Sequence, residues 1–197
     1  MEWVVRLVAL ALTAAVIENL IFTRGVGWGE IYPKAFSSGR LSVTAIIGLA
    51  LTTVAAFSGW LGKKLVDEIY AVVSHLRPPV YLVLYIILLL IFLVIWYITP
   101  SLRSRHFPLH PVVALGFLPL SVMLIIGGSA FGLVECLVYG LFAGVGYLGA
   151  VLLTNSIHQF MELRRVPEAM RGTPVALLYV GLISLALFGL LGHLVAL

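Results

Sequence analysis

Long apolar stretches, separated by short clusters of charged residues, dominate the chain. A helix needs about 20 apolar residues to cross the roughly 30 Å hydrocarbon core of a bilayer. Five charge-free stretches reach that length, and the first apolar run reaches it when extended past Glu18 and Asn19 to Phe22. The pattern therefore predicts an all-α integral membrane fold with six transmembrane helices, at about 3–22, 41–62, 80–99, 111–128, 132–154 and 174–195.

The composition agrees with a protein that lives in a lipid bilayer. The 197 residues are 62% hydrophobic and 10% charged, with a mean hydropathy of +1.15. Soluble domains are about 45–50% apolar and about 25% charged, and a soluble fold of this size could not bury so much apolar surface. The net charge of +4 forms no patch or stripe along the sequence, which excludes nucleic acid as a partner.

The first apolar segment has a second interpretation, as the core of a cleaved signal peptide over residues 7–16. Glu2 beside Arg6 is unusual in the positively charged start of such a peptide. Cleavage would also leave an odd number of spans. We therefore expect the segment to be retained as the first transmembrane helix.

The distribution of Lys and Arg predicts the orientation. Six spans place the two termini, the 63–79 loop and the 128–132 turn on one side, which carries Arg6, Lys63, Lys64 and Arg77. The other side carries Arg24, Lys34, Arg40, Arg103, Arg105, Arg164, Arg165 and Arg171. Cytoplasmic loops are enriched in Lys and Arg, so we expect both termini outside, in the bacterial cytoplasmic (inner) membrane.

The chain divides into two halves, residues 1–99 and 106–197, that resemble each other weakly. An arginine followed by proline and valine begins the last predicted helix of each half, at 77–82 and 171–177. Because three helices separate the copies, the second has to be inverted in the membrane. The halves are predicted to be inverted three-helix repeats within one membrane domain, with chance similarity between apolar helices as the alternative.

The first helix of each half carries helix-breaking residues, and inverted repeats are built around sites formed by broken helices. Gly25, Gly27 and Gly29 follow the first predicted helix and favour a re-entrant loop. Pro119 lies inside the fourth, where it leaves a backbone carbonyl for a neighbour or a ligand to satisfy. We expect both helices to be broken.

Four stretches of the sequence resemble one known family. They are Glu18-Asn19, GLALTT at 48–53, GFLPL at 116–120 and, most specifically, ELRRVPEAMRGTPVAL at 162–177. The chain resembles the six-helix membrane subunits (RnfA/NqrE-like) of the Rnf electron-transport complex and of Na⁺-translocating NADH:quinone oxidoreductase. The resemblance covers essentially the whole chain and supports the inverted repeat.

The resemblance implies partner subunits. The residues of this chain, however, contradict one cofactor of the family, an iron–sulfur cluster. Family members supply one cysteine from each half to an intramembrane iron–sulfur cluster shared by two such subunits. The matching positions here fall near Gly29 and Ile125, and the asparagine that precedes the second cysteine falls near Leu124. The one cysteine of the chain, Cys136, is elsewhere. We therefore expect a branch without the cluster, which binds no cofactor by itself and works with a flavin or quinone held by a partner.

The resemblance also implies an assembly. A second copy or a paralogous six-helix subunit is expected to form a dimer with this chain. A flavin-carrying redox subunit is the other expected partner.

Glu18 and Asn19 are the candidates for an ion or proton relay, because an ionisable group deep in a span is a functional hypothesis by default. The alternative for Glu18 is a structural ion pair with Arg24 or Arg164. The alternative for Asn19 is a hydrogen bond to another helix. Both alternatives stay open at the level of the sequence.

Arg24, Arg164, Arg165 and Arg171 are candidates for contact with a partner or with a flavin phosphate, although the positive-inside rule alone accounts for them. Gly140 and Gly144 are predicted to form a helix-packing face. Gly144 also begins a GxGxxG pattern, but without a preceding strand it does not indicate a dinucleotide site. No metal site and no catalytic residue are predicted.

The first hypothesis is an accessory subunit of an Rnf- or Nqr-like redox complex. It would support electron transfer, with or without coupling to ion movement, between flavin or quinone groups of its partners. The alternative is a small inverted-repeat secondary transporter or channel that uses Glu18. A scaffold that anchors another protein is a third possibility.

Overall fold

A computed structural model of the chain describes residues 2–25, 38–69, 77–98, 117–163 and 173–195, together with Pro167 and Met170. All regular elements in these ranges are helical. The first α-helix continues directly into a short π-helix, Thr13–Ile17. The α-helices are α1 (Glu2–Leu12), α2 (Ser38–Ile69), α3 (Arg77–Ile98), α4 (Phe117–Gly128), α5 (Leu133–Leu163) and α6 (Thr173–Val195).

Each described helix overlaps a predicted one; the first ends earlier than predicted, at Ile17, and two others are longer. α2 ends at Ile69 rather than near residue 62, and α5 ends at Leu163 rather than near residue 154. The prediction used charged residues as helix ends. Charged residues mark the surface of the bilayer, whereas a helix can extend beyond that surface into water and keep its backbone hydrogen bonds. Lys63 and Lys64 accordingly lie within α2.

Within the described residues, two segments are long and apolar enough to cross a membrane by length and composition, Ile46–Asp67 and Leu133–Thr154. Pro79–Ile95, Leu118–Gly128 and Leu177–Gly189 are shorter apolar helices. Apolar side chains on the outer surfaces of α3 and α6 are highly exposed, and Phe188 reaches 76%. Such continuous apolar surface is costly in water and suits a lipid environment. The structure is therefore an all-helical fold with the surface of a membrane protein.

The centre of the molecule is the contact between α2 and α5, which pack closely through small residues. A Cβ atom placed on Gly144 would lie 2.5 Å from Thr52 Oγ1 and 2.8 Å from Leu49 Cα. A Cβ atom on Gly140 would collide with Ala56. Glycine therefore lets the two backbones approach, as is common between helices in membranes.

α4 packs against a later part of α2, where a Cβ atom on Gly59 would lie 3.2 Å from Met123 Cα, and its second half lies beside the functional site. Leu118, Val122, Met123 and Ile126 form its buried face. The described residues Phe117–Gly128 form a continuous helix that includes Pro119, and the predicted break at Pro119 stays a prediction. The remainder of that predicted helix, 111–116, lies outside the described residues.

Candidate functional site

The first helix breaks at Glu18, in the last third of the predicted span 3–22. The π-helix Thr13–Ile17 is closed by the N–H of Glu18, which donates to the Thr13 carbonyl at 2.7 Å. Glu18 itself leaves the helical region, with φ −97° and ψ 35°. Residues 20–24 then form turns, and Gly25 adopts a positive φ of 65°. The expected break is therefore present, and it begins at Ile17 rather than after Phe22.

Asn19 satisfies the backbone groups that the break leaves open. Its Nδ2 donates to the carbonyls of Ala15 at 3.0 Å and Gly146 at 2.9 Å. Its Oδ1 accepts the N–H groups of Ile21 at 3.0 Å and Phe22 at 3.3 Å. An amide has two donors and an acceptor oxygen with two lone pairs, so these four bonds use its full capacity. The geometry favours structural bonding by Asn19, the second of its two expected roles.

The broken segment is fixed to α5 at several points. A Cβ atom on Gly146 would lie 2.9 Å from Ala15 Cα, so the two backbones touch there. Nearer the start of both helices, Arg6 Nε lies 2.9 Å from Glu135 Oε1. Since low numbers in one helix meet low numbers in the other at both contacts, α1 and α5 run in the same direction.

Glu18 connects the broken segment to α5 through its carboxylate. Tyr139, on α5, donates its hydroxyl to Glu18 Oε2 at 2.6 Å. Arg24 Nη2 lies 3.4 Å from Glu18 Oε1. Tyr139 is 1% exposed, whereas the Glu18 and Arg24 side chains are 32% and 44% exposed. Of the two cations expected to pair with Glu18, Arg24 is the one in contact in the structure; Arg164 lies outside the described residues.

An open cavity of about 470 Å³ lies between the broken segment and the second half of α4. Its walls carry hydroxyl, charged and apolar groups. They are Glu18, Arg24, Ser121, Leu124, Ile125, Gly128, Ser129 and Phe131. The cavity thus extends from the turn between α4 and α5 to the Glu18 carboxylate.

The turn between α4 and α5, which lines one part of the cavity, is held by hydrogen bonds. Lys63, on α2, donates its ammonium to the carbonyl of Ser129. The Ser129 hydroxyl donates to the Ile126 carbonyl at 2.8 Å. A cation beside the last carbonyls of α4 is favoured by the helix dipole, so Lys63 stabilises this end of α4.

The position that the resemblance assigns to the second cluster cysteine falls near Ile125, which lies on the wall of this cavity. Ile125 is partly buried there, and Leu124 is 46% exposed. Neither side chain has an atom that ligates iron. Cys136 is fully buried, with Sγ directed to the Phe131 carbonyl at 3.8 Å. Within the described ranges, no group of three or more His, Cys, Asp or Glu residues could hold a metal ion. Of the two positions that the resemblance assigns to cluster cysteines, Ile125 offers no ligand for iron, and Gly29 lies outside the described residues.

The other predicted residues fall into two groups. Gly140 and Gly144 lie at the closest approach of α2 and α5. Gly29, Arg164, Arg165 and Arg171 lie outside the described residues.

Sequence reasoning missed Tyr139 as a member of the site. Its signal was present, because a tyrosine in a long apolar helix needs a hydrogen-bond partner for its hydroxyl. Ser184 was missed as well. Its hydroxyl donates a hydrogen bond to the carbonyl of Phe22 in the broken segment. Both residues contact the segment from helices distant in sequence.

Comparison with known proteins shows relatives that match nearly the whole chain. No protein-family model matches it. It is 25% identical over 189 residues to a protein of the Na(+)-translocating ferredoxin:NAD(+) oxidoreductase complex of Acetobacterium woodii, covering 94% of this chain and 97% of that protein. It is 25% identical over 196 residues to a protein of the ion-translocating oxidoreductase complex of Glaesserella parasuis, covering 95% and 97%. It is 26% identical over 206 residues to a protein of the Na(+)-translocating NADH-quinone reductase of Chlamydia trachomatis, covering 94% and 81%. All three relatives are named as subunits of these complexes.

Proposed function

We propose, from the premise that this chain is an RnfA/NqrE-like protein, that it is a membrane subunit of an ion-translocating oxidoreductase complex. The observation that carries the proposal is the similarity to subunits of such complexes along about 95% of the chain. The all-helical fold with lipid-compatible surfaces supports it. The chain is an accessory subunit in this proposal and carries no catalytic residue.

The proposed role is to support electron transfer between flavin or quinone groups that partner subunits hold. A cluster of its own is not part of the proposal, because Ile125 occupies the wall where the family places a cysteine. Arg24, beside the cavity, is a candidate contact for a flavin phosphate or a partner. Arg164, Arg165 and Arg171 keep the same proposed role on the basis of the sequence.

The proposed architecture is six transmembrane helices in two inverted three-helix repeats, 1–99 and 106–197. Helix lengths support it, since α2 and α5 have 32 and 31 residues and α3 and α6 have 22 and 23. The common direction of α1 and α5 supports it as well, because the first and fifth of six consecutive spans cross the membrane in the same direction. A dimer with a second copy or a paralogous subunit completes the proposed assembly.

The proposed location is the bacterial inner membrane with both termini outside, from the Lys and Arg distribution. A reagent that does not cross the membrane is expected to label a cysteine placed at Lys64 and not one placed at Arg165. Labelling at Arg165 alone would reverse the orientation.

The proposed function is tested by isolating the tagged full chain from its native membranes under mild detergent. Mass spectrometry is expected to identify two partners, a redox protein that carries flavin and a second six-helix protein, which is either paralogous or another copy of this chain. An unrelated membrane protein tagged in the same cells is the control. Isolation of the chain without any redox partner would contradict the proposal.

A second candidate function is a small secondary transporter or channel that uses Glu18. The observation that favours it is the Glu18 carboxylate in the wall of an open cavity. In proteoliposomes, Glu18→Gln is then expected to abolish ion or solute flux of the chain alone, with Glu135→Gln as the matched control. Equal fluxes in the native chain and Glu18→Gln would remove this candidate.

A further inference from the structure

We propose that the cavity beside the helix break is a binding groove for a zwitterionic phospholipid of the phosphatidylethanolamine type. Arg24 binds the phosphate of the lipid, and Glu18 binds its ammonium group. The apolar wall of α4 contacts the glycerol backbone and the upper parts of the acyl chains. The inference goes beyond the proposed function, because it assigns a lipid ligand to this chain by itself.

The cavity is a groove that follows one face of α4. The α4 residues in its wall are spaced three or four positions apart, so they share a helix face; they are Ser121, Leu124, Ile125 and Gly128. From the first to the last of them the helix rises by about 10 Å. The broken segment contributes Glu18 and Arg24 to the same groove. Its volume of about 470 Å³ is typical of sites that bind small ligands.

The α4–α5 turn brings one part of the groove to the level of lipid headgroups. Ser129 and Phe131, in this turn, line the groove. The Ser129 carbonyl accepts a hydrogen bond from Lys63 on α2. The ammonium of the next residue, Lys64, lies 5.5 Å from the ring centre of Trp60. Tryptophan and lysine near the end of an apolar helix are typical of the membrane–water interface, so we place the turn at that interface.

The groove presents one cation and one anion side by side, and both have capacity for a further partner. Arg24 Nη2 lies 3.4 Å from Glu18 Oε1, which is longer than the about 2.7–2.9 Å of a tight charge-assisted hydrogen bond. A guanidinium has several N–H donors, and in the described part of the chain this single contact uses them. The carboxylate also accepts the Tyr139 hydroxyl on Oε2 and keeps further lone pairs.

This pair of charges is complementary to a ligand with an anion and a cation a short distance apart. The phosphate and the ammonium of phosphatidylethanolamine are joined by a short ethylene group. Arginine binds phosphate oxygens through parallel N–H groups, and the ammonium can donate hydrogen bonds to the Glu18 carboxylate. Phosphatidylglycerol offers no cation to Glu18, and the trimethylated nitrogen of phosphatidylcholine has no N–H donor. The groove is therefore expected to select phosphatidylethanolamine.

The other part of the wall is apolar. Leu124, Ile125 and Phe131 line the groove beside the charged pair, and the Leu124 side chain is exposed. Charged side chains within a membrane need polar partners, whereas apolar side chains are stabilised by contact with hydrocarbon. A charged pair next to an apolar wall suits an amphipathic lipid better than a soluble anion, which would leave the apolar wall uncovered.

The test is native mass spectrometry of the purified full chain in detergent, with phosphatidylethanolamine, phosphatidylglycerol and phosphatidylcholine of identical acyl chains added at equal concentration. We expect the native chain to retain phosphatidylethanolamine about tenfold better than the other two lipids, because hydrogen bonds to charged groups contribute about that factor. Glu18→Gln is expected to remove this preference, and Arg24→Gln is expected to weaken retention of all three lipids. Glu135→Gln is the matched control, since Glu135 pairs with Arg6 and does not line the groove.

A second variant fills the groove without changing either charge. A Cβ atom on Gly128 would meet no atom within 4 Å, so Gly128→Leu is expected to place its side chain in the groove and to abolish the preference. Gly149→Leu is its control, because Gly149 has equally open surroundings and lies outside the groove. Equal retention of the three lipids by the native chain would overturn the proposal, and so would an unchanged preference in Gly128→Leu. The experiment uses the chain alone, so its failure leaves the proposed complex untouched.

Discussion

At the scale of single residues, Asn19 and Glu18 have different roles at the helix break. Both could be selected from the sequence, because they are polar residues inside an apolar run. Their separate roles could not, since they depend on contacts 121 and 127 residues away along the chain, to Tyr139 and Gly146. Asn19 holds the backbone of the break, which leaves the Glu18 carboxylate at the cavity.

Replacing Asn19 is expected to destabilise the fold. Asn19→Ala leaves two N–H groups and two carbonyls without their partner in a segment where Asn19 is 5% exposed. Since an unsatisfied buried polar group costs about 1–3 kcal/mol, we expect a loss of about 2–4 kcal/mol, measured by unfolding in detergent. Asn19→Asp keeps an acceptor oxygen, so its stability is expected to lie between those of the native chain and Asn19→Ala. An Asn19→Ala chain as stable as the native one would contradict the assigned role.

At the scale of elements, the central pair α2 and α5 fixes the position of everything else. The sequence predicted the contact residues Gly140 and Gly144, because a small-residue spacing indicates close helix packing. It did not predict the helix lengths, because charge clusters mark the bilayer surface rather than the last hydrogen bond. Nor could it give the π-helix Thr13–Ile17, since that widening depends on contacts between α1 and α5.

Two glycines of α5 provide a matched test of that packing. A methyl group on Gly144 would meet the Leu49 backbone at 2.8 Å, whereas one on Gly149 would meet no atom within 4 Å. Gly144→Ala is therefore expected to cost about 1–3 kcal/mol. Gly149→Ala is expected to be neutral or stabilising by up to about 1 kcal/mol, because alanine is the better helix former. Thermal unfolding in detergent measures both. Equal stabilities of the two variants would show that α2 and α5 are farther apart than the structure places them.

At the scale of the whole molecule, the chain is similar along about 95% of its length to subunits of ion-translocating oxidoreductase complexes. Its cavity wall carries an aliphatic residue, Ile125, near the position that the resemblance assigns to a cluster cysteine. The resemblance was visible in short motifs spread along the sequence, and relatives that span almost the whole chain confirm it. In the proposed function, redox groups therefore have to come from partner subunits.

The most direct test of that central claim is the absorption spectrum of the complex isolated from native membranes, recorded before and after reduction. We predict a reversible flavin or quinone difference spectrum in the complex, and none in the chain purified by itself. An isolated complex without any redox-active absorption would contradict the proposed function. An iron–sulfur spectrum from the isolated chain would contradict the assignment of a branch without the cluster.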